Sequence, residues 1–293
     1  MDFITDPWSW WVEPFIGSEA NQNALAAVLL TALCTSVVGT WVVLRGMSFL
    51  GDALAHGVLP GLALAFVIGA DPTIGAFIAA IAMVAGVNVI RTASPLPDDA
   101  SIGILFVGFL ALAVVIMSSE QASYTGDLTR FLFGSITGVD TGDLGRQVVI
   151  TVVVVAVVAV LYRPLLVGTF DDRQAHVLGM HPRLVHAALL VLLALAIVAS
   201  FATVGNLLVF AFLIAPPATA TLIVRRVPAI MAVAVVIGAV SGLVGLLVSY
   251  HHQTAAGASM ALCTVVVFFA ALLARSLATL FRRRLVPRAV TSP

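Results

Sequence analysis

The run Met47-Ser-Phe-Leu-Gly-Asp-Ala-Leu-Ala-His-Gly-Val-Leu-Pro-Gly61 decides how this chain is read. It lies in an apolar stretch, residues 48–70, long enough to cross a bilayer as a helix. Asp52 and His56 interrupt that stretch. A carboxylate at mid-membrane depth costs roughly 3 kcal/mol on insertion scales, so its presence there points to function. A spacing of four puts the two side chains on one helical face, where they can grip one cation together. Pro60 follows His56 by four residues and has no N–H, so the His56 carbonyl is expected to be left free. Two oxygens and an imidazole nitrogen then converge on one candidate site for a divalent metal. The plainer alternative is an Asp–His hydrogen bond that pins two helices.

The rest of the chain reads the same way. Of 293 residues, 61% are hydrophobic and 10% charged, with a mean hydropathy of +1.14, which excludes a soluble domain. The expected fold class is all-α, a polytopic membrane protein with about nine transmembrane helices (eight to ten). Apolar stretches fall at 24–44, 48–70, 73–90, 101–119, 147–162, 184–203, 205–224, 228–249 and 257–274. The pair at 184–203 and 205–224 is the least certain, because only Thr203, Gly205 and Asn206 punctuate it. One of the two is a candidate for a broken or re-entrant helix.

All 14 basic residues are arginines, and they fall in alternate connections. Arg45, Arg91, Arg163, Arg173, Arg183, Arg225, Arg226, Arg275, Arg282, Arg283, Arg284 and Arg288 map to one side; Arg130 and Arg146 map to the other. The positive-inside rule then places the N-terminus outside and the C-terminus in the cytoplasm. A single transmembrane domain, 1–293, is expected. Within it, 1–23 is an outer interfacial segment with Trp8, Trp10, Trp11 and Phe15; 163–183 is a cytoplasmic loop; 276–293 is an Arg-rich cytoplasmic tail. The N-terminus lacks a basic n-region, which argues against a cleaved signal peptide. Cys34 and Cys263, both inside apolar spans, read as buried structural thiols.

Two connections are too long for plain turns. The outer one, 118–146, carries a short apolar piece, Phe131-Leu-Phe-Gly-Ser-Ile136. The inner one reads Phe170-Asp-Asp-Arg-Gln-Ala-His-Val-Leu-Gly-Met-His-Pro182. There Asp171 or Asp172 can cap a short helix, and Gly179 with Pro182 can end it. Such a helix is either a docking surface for a soluble partner or an idle loop. The chain has no lysine, so it carries no Walker A loop and cannot hydrolyse ATP by that route. It also lacks an HExxH or GxSxG signature. Past Asp172 there is no carboxylate.

Asp52-Ala-Leu-Ala-His-Gly-Val-Leu-Pro-Gly61 resembles the second-helix signature of the zinc-, manganese- and iron-type ABC permeases, the membrane subunits of metal importers. Four further stretches match that family in order: Asp99-Ala-Ser-Ile-Gly-Ile-Leu-Phe106, Asp127-Leu-Thr-Arg-Phe-Leu-Phe-Gly134, Phe170 to Gly179, and Val204 to Ala220. The resemblance runs over about 24–275, nearly the whole chain. The resemblance implies a permease, not an enzyme, that resides in the cell membrane and lipid bilayer. It implies a homodimer with a second copy, or pairing with a paralogous permease, and two ATP-binding subunits outside this chain. It also implies an extracytoplasmic metal-binding lipoprotein or solute-binding protein, and no nucleic-acid partner.

Asp52 and His56 become the implied metal residues. Phe170, Asp171, Asp172, Arg173, Ala175, Leu178 and Gly179 become the implied coupling segment for the ATPase. The implied cargo is Mn²⁺ or Zn²⁺, with Fe²⁺ as a further candidate, and no permanently bound cofactor is expected. The last outer stretch, Ser249-Tyr-His-His-Gln-Thr-Ala-Ala-Gly257, lacks the family's Asp and Pro. His251 and His252 either handle metal at an outer gate or simply line a rim. Competing functions are an ABC permease for a metal chelate of the siderophore or cobalamin type, a proton-coupled secondary carrier, and an intramembrane metal enzyme.

Overall fold

The computed structural model describes residues 7–93, 98–118 and 138–285. Among these, every regular element is helical. Two short helices, α1 (Pro7–Trp11) and α2 (Glu13–Ile16), lead into α3 (Glu19–Leu44). The second span is split into α4 (Ser48–Gly57) and α5 (Leu59–Ile68). Then come α6 (Pro72–Ala93), α7 (Asp98–Met117), α8 (Thr141–Val160), α9 (Tyr162–Phe170) and α10 (Asp172–Val177). The last four are α11 (Pro182–Val204), α12 (Asn206–Ile223), α13 (Val227–His252) and α14 (Ala256–Leu285).

Among the described residues, eight helices or helix pairs are long and apolar enough to cross a membrane, and the shorter apolar helix Leu207–Ile223 joins them. The multi-pass, all-α reading therefore stands. The doubtful pair resolves into two helices, broken at Gly205, whose backbone (φ 80°, ψ 161°) no helix accommodates. The apolar piece at 131–136, the matched stretch at 127–134 and the tail beyond 285 lie outside the described residues.

The first span, α3, is the hub, packed on four sides by α8, α11, α12 and α13. Its apolar stretch is 72% buried, against 17% for that of α7 and 22% for that of α14, whose apolar faces suit lipid. With no hydrophobic gradient between helix and lipid, such packing depends on close approach at small residues and on hydrogen bonds. At Gly39 a Cβ would run into the Leu213 carbonyl of α12. That carbonyl is the one Pro217 deprives of its helical donor, so the proline's gap is filled by another helix's backbone. Two hydroxyls on α3 are satisfied within the helix: Thr35 Oγ1 donates to the Thr31 carbonyl (2.6 Å) and Thr40 Oγ1 to the Ser36 carbonyl (2.8 Å). Ser36 Oγ reaches across to Ala234 of α13 (3.3 Å), and Gln147 of α8 donates to Thr31 Oγ1 (2.8 Å). Cys34 is buried and Cys263 half-buried, and both are free thiols.

Contacts at the helix ends gather the connections into two groups. One end gathers Asn23 on Val139 (3.3 Å), Arg146 on Thr73 (2.8 Å) and Trp10 on His251. The opposite end gathers Trp41 on Tyr162 and Arg45 on Thr169.

Candidate metal centre

The sequence of α4 explains its amphipathic placement. Leu50, Ala53, Leu54 and Ala55 are buried in the main core, which leaves Asp52 and His56 on the remaining face. Their side chains are 28% and 30% exposed, so acid and imidazole open onto a surface of the chain rather than into its core. His56 Nδ1 lies 3.4 Å from Asp52 Oδ1 and 3.1 Å from the Asp52 backbone carbonyl. A carbonyl can only accept, so Nδ1 is the protonated nitrogen of the neutral ring. Nε2 then keeps the lone pair a metal needs. The local contact thus favours the tautomer in which Nε2 is free to accept or to ligate, a task usually given to a separate outer-shell group.

The helix breaks two residues before Pro60. Val58 separates α4 from α5, and Leu62 N–H resumes the ladder on the Val58 carbonyl (3.1 Å). The His56 carbonyl is not left vacant, however: the Val58 N–H, two residues on, caps it. The third expected donor, the His56 carbonyl, thus already accepts one backbone hydrogen bond, and the Asp52 carboxylate and His56 Nε2 are the side-chain candidates. Among the described residues, no cluster of three or more His, Cys, Asp or Glu assembles within one chain.

Neighbouring helices hold the pair in place. Phe106 of α7 meets the imidazole edge to face at 5.6 Å and 88°. No spacing rule singled out this residue, although it closes one of the family-like stretches. Gly57 and Gly61 admit close neighbours: a Cβ at Gly57 would meet Met83, and one at Gly61 the Gly75 carbonyl. Gly51 lies against Leu213 in the same manner.

The other candidates lie apart from this pair. His251 stacks on Trp10 at 4.4 Å and 11°, with Tyr250 at its edge, and its Nδ1 donates to the Leu247 carbonyl (2.9 Å). His252 is exposed beside it. Trp10 thus anchors the N-terminal segment to α13, while Trp8 and Trp11 point outward at 64% and 41% exposure.

At the opposite end, Asp171 Oδ1 accepts from Gln174 N–H (2.9 Å) and caps α10, the helix that contains Asp172 and Arg173. Gly179, at φ +71°, ends it with a Met180 N–H to Ala175 carbonyl bond (3.0 Å). Ala175 is buried, while Phe170 (68%), Val177 (87%) and Leu178 (58%) stand exposed. Three bare apolar side chains around a capped turn form a surface suited to a protein partner.

Comparisons with known proteins agree with this architecture. Residues 18–275 match the model of the ABC 3 transport family. The manganese transport system membrane protein MntC of Listeria innocua is 37% identical over 252 residues, covering 86% of this chain and 89% of that protein. A probable iron transport system membrane protein of Haemophilus influenzae is 35% identical over 263 residues, covering 90% and 96%. The solved structure of PsaBC from Streptococcus pneumoniae in complex with Fab superposes with a TM-score of 0.81 at 31% identity, covering 89% of this chain and 94% of that one. This chain belongs to the ABC 3 transport family and is a multi-pass membrane subunit of a transporter.

Proposed function

We propose that this chain is the permease of an ATP-driven importer for a divalent transition metal, Mn²⁺ or Zn²⁺. Two copies line the path, and two separate ATP-binding subunits dock on the arginine-rich cytoplasmic end. An extracytoplasmic metal-binding protein delivers the ion to the end bearing Trp10 and His251. The observation that carries this reading is the Asp52–His56 pair: two donors per chain, partly exposed, inside a membrane span. A charged face at that depth facing lipid would cost several kcal/mol. A second copy set against it removes that cost and doubles the donors to four, the number that suits zinc and a partial shell for manganese.

A carboxylate with an imidazole fits these ions better than Mg²⁺ or Ca²⁺, which favour all-oxygen shells. Relatives named for manganese and for iron support a transition-metal cargo. Intrinsic affinity favours zinc over manganese, so selection between them falls to coordination geometry and to the delivering protein. Phe170, Asp171, Asp172, Arg173, Ala175, Leu178 and Gly179 form the seat for the ATPase, and its exposed apolar side chains are what that contact buries.

The test is uptake of Mn²⁺ and Zn²⁺ into vesicles holding the assembled complex. Asp52→Ala should abolish ATP-dependent uptake while the ATP-binding subunit still co-purifies. Uptake at the wild-type rate would refute the site.

A further inference from the structure

We infer that α4 is a lever hinged at both ends and that Arg45 and Thr169 are the positioning residues that drive it. This inference rests on the importer reading above and adds how movement of the coupling segment reaches the metal site.

The lever's ends are visible in the backbone. At its cytoplasmic end, α3 closes with Gly46 in the left-handed region (φ 68°) and a Met47 N–H to Val42 carbonyl bond of 2.9 Å. A Cβ at Gly46 would touch nothing within 4 Å, so this turn is conformationally special yet unpacked. At the far end, Val58 breaks the helix before Pro60. The hydrophobic packing divides at the same residue. Leu50, Ala53, Leu54 and Ala55 belong to the main core, whereas Val58, Leu59 and Leu62 belong to a second cluster with α6, α7 and α11. The 10-residue α4 is therefore packed apart from α5, and Asp52 and His56 ride on it.

The drive is a directed hydrogen bond. Thr169 Oγ1 donates its proton to the Leu165 carbonyl (2.6 Å), so only its lone pairs face outward. Arg45 Nε donates to that oxygen at 3.0 Å. Thr169 stands two residues before Asp171, the cap of α10, and Arg45 stands three residues before α4 begins. Beside this bond Trp41 meets Tyr162 edge to face at 5.7 Å, a second contact between α3 and α9. The path from ATPase seat to metal pair thus runs α10, Thr169, Arg45, Gly46, α4, with one charged hydrogen bond joining segments 124 residues apart. Arg45→Gln removes the guanidinium, Thr169→Val removes the acceptor at equal shape, and Thr169→Ser keeps it.

The experiment uses the assembled complex in vesicles and reads Mn²⁺ transported per ATP hydrolysed. Thr169→Val is expected to lower that ratio roughly tenfold, corresponding to about 1.4 kcal/mol of lost linkage, with Thr169→Ser restoring it. Arg45→Gln should give the same loss, and the double variant should be no worse than either single one. A wild-type ratio in Thr169→Val, or additive losses in the double variant, would overturn the proposal.

Should Thr169→Val fail to assemble, the hinge decides. Gly46→Val, which resists a left-handed backbone, should lower the ratio, whereas Gly46→Asn, which tolerates it, should not. Equal behaviour of those two variants would also overturn it. Asp52→Asn in the same vesicles separates the two claims. If it leaves uptake intact, the site reading fails; if it abolishes uptake while Thr169→Val stays wild-type, only the lever fails.

Discussion

The first and second spans are separated only by Arg45, Gly46 and Met47, and they treat polar side chains in opposite ways. In α3, Thr31, Thr35, Ser36 and Thr40 are fully buried and held in hydrogen bonds within the helix or to its neighbours. In α4, Asp52 and His56 stay partly exposed, and their mutual contact leaves the carboxylate and Nε2 available. The continuous helix spends its polar groups on packing; the broken one holds them in reserve. Polarity inside a membrane span is thus not one signal but two, told apart by whether the donors and acceptors are already used.

Perturbing each span separately probes that contrast. Asp52→Ala should bring metal uptake to background with the complex intact, the largest effect expected. Gly39→Val should instead damage the fold. It drives a side chain into the Leu213 carbonyl and should cost about 1–3 kcal/mol, read as a lowered thermal midpoint of the purified protein. Pro60→Ala restores a backbone donor and straightens the break. Several-fold slower uptake with unchanged or higher thermal stability is expected, because α4 and α5 then move as one helix.

Thr35→Val removes one in-helix bond and should cost only about 0.6 kcal/mol, with uptake unaffected. A large transport defect in Thr35→Val would erase the contrast between the spans. The smallest effect belongs to Asp71, whose carboxylate accepts the Thr73 N–H (2.7 Å) at the start of α6 and is held below the ordinary carboxylate pKa by that bond. A lowered folded-state pKa gives stability that is present above the unfolded value and lost as pH falls through the folded one. Wild type should therefore lose a slight advantage over Asp71→Asn only in acid, as read in melting curves against pH.

Most of the architecture was legible in the sequence because lipid imposes length and apolarity on each crossing, and because arginines punctuate alternate turns. Gly205 was harder. A single residue ends one span and starts the next, and no run of polar residues marks the boundary. Asp52 and His56 were legible because they violate the apolar pattern in register with the helical turn. Pro60 marked the His56 carbonyl as losing its helical donor but not the partner it gains, which depends on how Val58 settles. Phe106, Thr169 and Gly39 were illegible for one reason: each matters through a partner far along the chain, and spacing carries no information about that.

The central claim is tested most directly by pulsed electron paramagnetic resonance of Mn²⁺ bound to the assembled complex. The account predicts modulation from a directly coordinated imidazole nitrogen in the wild type that vanishes in His56→Gln. Nitrogen coupling that survives in His56→Gln, or none in the wild type, would contradict it.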